Sequence, residues 1–158
     1  MPAPPIIDPA SLDLAHVAYD IDAIRQVNPQ RHEMEQLTAI VLMDPEQQLI
    51  VAYKDVTDQE FWVRGHIPGR PLMPGVVMCE AVAQAASFLI HHCMDGPPGF
   101  IGFGGMDGVR FRGTVSPGDR LLIMGRIASL RRRIAALEGQ GFVGQKMVFE
   151  GTIIGVPM

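Results

Sequence analysis

Residues 75–92 read Gly-Val-Val-Met-Cys-Glu-Ala-Val-Ala-Gln-Ala-Ala-Ser-Phe-Leu-Ile-His-His. Glu80, Gln84 and Ser87 are the only polar side chains before the two closing histidines. A run that is apolar on nearly every side predicts a buried helix, not one lying on a surface. Such a helix needs a cover, and the flanking sequence supplies strands. Residues 36–43 and 48–56 read as two strands joined at Asp44-Pro45. Residues 100–115, 120–130, 132–143 and 146–156 read as four more, with turns at Ser116-Pro117-Gly118-Asp119 and Gly144-Gln145. Asp20 is placed to cap a short helix carrying Ile21, Ile24 and Val27, which ends near Asn28-Pro29. Residues 1–19, Pro-rich over 1–12, read as an extended arm ahead of a single domain over 20–158. The expected class is α+β, with a sheet curled around one long helix.

Composition sets bounds on function. At 158 residues, 47% of them hydrophobic, the chain can bury a sizeable core. A formal net charge of −4 gives no field for nucleic acid, so an acidic partner would need a local basic patch. Cys79 and Cys93 fall on or just after the predicted helix, about 21 Å apart at the helical rise, too far for a disulfide. Reduced thiols and a cytoplasmic setting are the expectation. The opening MPAPPIIDPA lacks the basic and apolar regions of a signal peptide, and no membrane span is expected. No metal-ligand spacing, P-loop or dinucleotide fingerprint occurs.

The chemistry is concentrated just before and within the helix, in Arg64-Gly65-His66-Ile67-Pro68-Gly69-Arg70-Pro71-Leu72-Met73-Pro74-Gly75 and the turns that follow. Glu80 has apolar neighbours on both sides, and no Lys or Arg occurs between Arg70 and Arg110. Desolvation without a nearby cation should raise its pKa, which suits an acid that donates a proton near neutral pH. Gln84 lies four residues on, on the same helical face, and can orient that carboxyl. His66, in a loop stiffened by prolines, has the right ordinary pKa for a general base. Gly75 opens the helix, where free N–H groups can hold a developing oxyanion and a missing side chain lets a carbonyl approach. Together these describe loss of a C2 proton from a thioester and departure of its 3-hydroxyl, with apolar helix walls for an acyl tail. Taken singly, His66 reads first as a turn residue, and Glu80 could be a structural partner of Arg110 or Arg112. Cys79 reads as a core residue, His91 and His92 as helix-end residues, and Arg131-Arg132-Arg133 as a solvated turn.

The run from Gly65 to Gln84 resembles the signature of the 3-hydroxyacyl-acyl-carrier-protein dehydratases of fatty acid synthesis. It matches at Gly65, His66, Pro68, Pro71, Pro74, Gly75, Val76, Glu80, Ala81, Ala83 and Gln84, with the family's spacing of fourteen from His to Glu. Gly105, Arg110-Phe111-Arg112, Val115 and Pro117-Gly118-Asp119 are similar to a later family stretch, and Asp20, Ile21, Ile24, Pro29 and Arg31 to its opening. The resemblance implies a hotdog fold, His66 as base, Glu80 as acid, Gly75 as oxyanion donor and Gln84 as the residue orienting Glu80. It implies a dimer whose sites combine His66 of one chain with Glu80 of the other, and trimers of such dimers. No metal or dissociable cofactor is implied; the substrate arrives on the phosphopantetheine of acyl carrier protein, for which Arg64, Arg70, Arg110, Arg112 and the 131–133 cluster are docking candidates. Glu at position 80, where an isomerising branch carries Asp, implies dehydration alone. A hotdog thioesterase and a non-catalytic acyl-carrier-binding protein are the alternative functions. The chain departs from the family at 32–37 (His-Glu-Met-Glu-Gln-Leu), at Ile67 and by one extra residue after Phe61-Trp62, which points to altered access for the acyl chain.

Overall fold

Asp20 starts the first helix as its residue type predicts: Oδ1 accepts the Ala23 N–H at 2.9 Å. That helix, α1, spans Ile21–Arg25 and is followed by β1 (Ala39–Asp44), β2 (Leu49–Asp55), α2 (Gly75–Cys93), β3 (Ile101–Phe111), β4 (Arg120–Arg131), β5 (Ile134–Val143) and β6 (Lys146–Pro157). The computed structural model describes residues 1–96 and 99–158. The six strands form one sheet in the order β1-β2-β4-β5-β6-β3, and every pairing is antiparallel. Gly144 turns the β5–β6 hairpin at φ 58°, a conformation in which a side chain is strained.

The sheet wraps α2, giving the hotdog architecture that the sequence implies. Phe88, Leu89 and Ile90 of the helix are almost wholly buried, against strand residues such as Ile50, Ile123, Leu137 and Phe149. Contact is close enough that a Cβ on Gly139 would stand 2.4 Å from Val82 Cγ1. By length and composition α2 could cross a membrane, but here its apolar surface is taken up by the sheet. Each buried large side chain contributes about 1.5–3 kcal/mol. The exposed pairs Arg120–Asp55 and Arg126–Glu138 contribute about 0–1 kcal/mol each, so apolar burial holds the helix in place.

A second apolar cluster lies on the outer face of the sheet, around Val51, Tyr53, Leu122, Met124 and Phe142. The arm covers it with Ile6, Ile7, Leu12 and Leu14. Buried Gln140 clamps the arm twice: Oε1 accepts the Ile6 N–H at 2.8 Å and Nε2 donates to the Pro4 carbonyl at 2.9 Å.

Two strand limits differ from expectation by three or more residues. The strand expected from residue 36 begins at Ala39, because the Gln36 N–H is taken by the Gln84 side chain. The strand expected over 100–115 ends at Phe111. The chain there leaves the ladder so that the Val115 carbonyl can accept the Met73 N–H at 2.8 Å, which ties down the loop ahead of α2.

Candidate active site

The loop between β2 and α2 is anchored before it reaches His66. Lys54 Nζ lies 2.9 Å from Glu60 Oε1, with both side chains largely buried. Burial alone would push the Glu60 carboxyl up, but hydrogen bonds from Lys54 and Thr57 and the Lys54 charge bring it below the usual carboxylate range. Trp62 is buried and its carbonyl accepts the His66 N–H at 2.8 Å. Ile67 and Arg70 exchange backbone hydrogen bonds across a tight turn with Gly69 at φ 77°.

This frame fixes the imidazole. The His66 carbonyl accepts the Leu72 N–H at 2.8 Å, and His66 Nδ1 lies 2.8 Å from the Leu72 carbonyl. A carbonyl only accepts, so Nδ1 carries the hydrogen and Nε2 is left with a free lone pair in the neutral ring. His66 is exposed in the single chain and lines an open, mainly apolar cavity of about 370 Å³ with Pro74, Gly75, Val76 and Phe111. Gly75 begins α2, and no side chain caps the helix. The Phe111 ring lies over Gly75 so closely that a Cβ there would stand 2.6 Å from Cζ. Phe111 is therefore part of the wall beside the helix start, a role that neither its strand position nor the Arg110-Phe111-Arg112 match assigned to it.

Glu80 lines a different cavity, of about 50 Å³, between α2 and the strands β3 and β6. It is half-buried at that cavity instead of sealed in the core as its apolar flanks led us to expect. Its orientation is set by Gln84, whose Nε2 donates to Glu80 Oε1 at 2.8 Å. Gln84 is itself fully committed: Nε2 also donates to the Met34 carbonyl at 2.7 Å, and Oε1 accepts the Gln36 N–H at 2.9 Å. That backbone donor fixes which end of the amide is oxygen, so the nitrogen must face Glu80. Buried Asn28 braces the same turn by donating to the Gln84 backbone carbonyl at 2.9 Å. The atypical 32–37 segment thus holds the residue that orients Glu80.

Among the described residues, neither Arg110 nor Arg112 pairs with Glu80. Arg110 Nη1 donates to the Val109 carbonyl at 2.9 Å, and Arg112 Nε to Glu150 Oε1 at 2.7 Å. The Ala3 N–H, and after it Arg112, holds the Glu150 carboxyl below its usual range. Arg64 and Arg70 are exposed on the His66 loop, and Arg131–Arg133 are exposed at the β4–β5 turn. Burial pushes the Cys79 thiol up, which keeps it protonated and a poor nucleophile. Neither cysteine is in a disulfide. His92 bonds the Phe88 carbonyl through Nδ1 at 2.8 Å and stacks on the Phe88 ring, a helix-end role. Among the described residues no three His, Cys, Asp or Glu side chains are grouped to hold a metal ion.

Of the site residues read from sequence, the structure groups His66 with Gly75 in one cavity, while Glu80 lines another and is hydrogen-bonded by Gln84. Asn28 and Gln36 were missed; Asn28 stood only as a helix end before Pro29.

The family model described as a FabA-like domain matches residues 28–152. A 3-hydroxyacyl-[acyl-carrier-protein] dehydratase FabZ of Variovorax paradoxus is 36% identical over 138 residues, covering 85% of this chain and 91% of the relative. The bifunctional enzyme LpxC/FabZ of Bacteroides thetaiotaomicron is 37% identical over 133 residues, which cover 83% of this chain but only 28% of that longer protein. Among solved structures, the dehydratase heterocomplex ApeI:P from Xenorhabdus doucetiae superposes with a TM-score of 0.71 at 14% identity, covering 85% of this chain and 90% of that one.

Proposed function

The chain belongs to the FabA-like domain family, and from that membership we propose that it is a 3-hydroxyacyl-acyl-carrier-protein dehydratase, a hydro-lyase of fatty acid synthesis. Its FabZ-named relative, matched over nearly the full length of both chains, supports this activity. The observation that carries the chemical reading is the Glu80 carboxyl held by Gln84 at an apolar cavity.

In the proposed reaction His66 Nε2 takes the C2 proton of the thioester. The C2 electron pair forms the C2–C3 double bond as the C3–O bond breaks. Glu80 gives its proton to the departing oxygen, which leaves as water. The Gly75 N–H holds the thioester oxygen while negative charge builds on it. Glu80 ends ionised and His66 protonated, so proton exchange with solvent resets both groups.

His66 and Glu80 line different cavities in one chain, so the site is proposed to form between two copies. β3 is an edge strand, and it carries Phe103, Met106 and Phe111 exposed. An unpaired edge with an apolar face is a surface that a second copy can cover by two-fold symmetry. Such dimers are proposed to gather in threes. The substrate is carried on the phosphopantetheine of acyl carrier protein, with Arg64, Arg70 and Arg110 as docking cations; Arg112 is already engaged by Glu150. The proposed chemistry needs no metal or dissociable cofactor, and the setting is proposed to be cytoplasmic.

The test is a turnover assay of the purified chain with a 3-hydroxyacyl thioester on acyl carrier protein. Enoyl product without free thiol is expected. Free thiol without enoyl product would mean hydrolysis, and tight carrier binding without either product would mean a binding protein. Each of those two results overturns the proposal.

A further inference from the structure

Residues 32–37, where the chain departs from the family, are also where Gln84 is gripped. The Met34 carbonyl accepts from Gln84 Nε2 at 2.7 Å, and the Gln36 N–H donates to Gln84 Oε1 at 2.9 Å. Both are backbone groups, and Glu35 stands between them. The position of residue 35 therefore sets where both ends of the Gln84 amide are held, and through that amide the Glu80 carboxyl.

Glu35 is fixed from outside the segment. Arg25 Nε donates to Glu35 Oε1 at 3.0 Å and Arg25 Nη2 to Oε2 at 2.9 Å, a two-bond fork. Those hydrogen bonds hold the Glu35 carboxyl below the usual carboxylate range, so the pair is charged at neutral pH. Arg25 ends α1, and buried Ile24 sets α1 in the core. Arg31 fixes the entry to the segment: Nη1 donates to the Asn28 and Gln30 carbonyls at 2.8 and 2.7 Å, and Nη2 to the Arg25 carbonyl at 2.9 Å. At the exit the Thr38 N–H donates to the Tyr53 carbonyl at 2.8 Å. The Arg25–Glu35 fork ties the middle of the segment to α1.

Resting on the dehydratase reading above, we propose that Arg25 and Glu35 are positioning residues, whose ion pair locks the backbone on either side of Glu35 and so keeps Gln84 aiming the Glu80 carboxyl at the departing hydroxyl. Neither side chain lines the cavity at Glu80 or the one at His66. The departure at 32–37, expected to alter access for the acyl chain, acts in this account on the acid.

The test is steady-state kinetics of the full chain with a 3-hydroxyacyl thioester on acyl carrier protein. A displacement of about 1 Å in a site can cost about 10²-fold. Opening the fork shifts the acid by less, so Glu35→Ala and Arg25→Met should each lower kcat by about tenfold with KM unchanged. Glu35→Gln keeps one of the two bonds and should fall between Glu35→Ala and the unaltered protein. The two substitutions together should be no slower than either alone, because both cut one link. In a Gln84→Met background, Glu35→Ala should cause no further loss. The Arg25 side chain is 42% exposed, so the melting temperature should move by no more than about 4 °C. An unchanged kcat in folded Glu35→Ala and Arg25→Met proteins, or a loss that appears in KM instead, overturns the proposal and leaves the dehydratase reading standing. So does an undiminished tenfold loss in the Gln84→Met background. No turnover by the unaltered protein removes that reading and this proposal with it.

Discussion

Replacing Glu80 with glutamine should lower kcat/KM for water elimination by about 10²- to 10⁴-fold, the usual contribution of a positioned acid. Glutamine has nearly the shape of glutamic acid, and its amide oxygen can still accept the Gln84 Nε2 hydrogen bond that Glu80 Oε1 accepts at 2.8 Å. Met34 and Gln36 would keep their bonds to Gln84, so the brace behind the site should survive. What is lost is the proton for the leaving hydroxyl. Steady-state kinetics paired with a thermal melt would measure this. A folded Glu80→Gln protein within a few-fold of full activity would remove Glu80 from the mechanism. Glu80→Asp should retain part of the activity, since the acid remains and only its reach is shortened.

His66→Asn should lose activity on a similar scale, about 10²- to 10⁴-fold, while keeping the loop in place. His66 does two jobs. Nδ1 donates to the Leu72 carbonyl at 2.8 Å, and Nε2 supplies the proposed base. The asparagine amide can donate to that carbonyl in place of Nδ1 but has no basic nitrogen. His66→Ala removes both and should cost additional loop stability, about 1 kcal/mol for the one hydrogen bond. Near-normal turnover by His66→Asn would mean that the ring only holds Leu72. Equal inactivity of the asparagine and alanine variants, with only alanine losing stability, would separate the chemical role from the structural one.

The parts of the fold that were readable from sequence are those set by local pattern. The buried helix follows from apolar residues on all its faces, and the Glu80–Gln84 contact from a spacing of four on a helix. Asp20 as a cap and Gly144 as a turn follow from side-chain chemistry and backbone geometry. The remaining features depend on contacts distant in sequence. Gln84 is held by the backbone of residues 34 and 36, about fifty positions away, and a backbone donor leaves no trace in residue type. Val115 leaves the sheet to bond Met73, a pairing that strand periodicity cannot announce. The arm has apolar residues at 6, 7, 12 and 14 without a regular period, so its seat on the outer face of the sheet came only with the fold. Residue chemistry suggested the roles of His66 and Gly75, and the family resemblance singled them out from the turn and loop readings that their local context equally allowed.

A site shared between two copies can be tested by mixing inactive chains. Unfolding and refolding Glu80→Gln and His66→Asn proteins together in equal amounts should restore about a quarter of wild-type activity, since half of randomly paired dimers are mixed and each has one intact site of two. Either variant refolded alone should stay inactive. No recovery from well-folded mixed dimers would contradict the claim that His66 of one chain works with Glu80 of another.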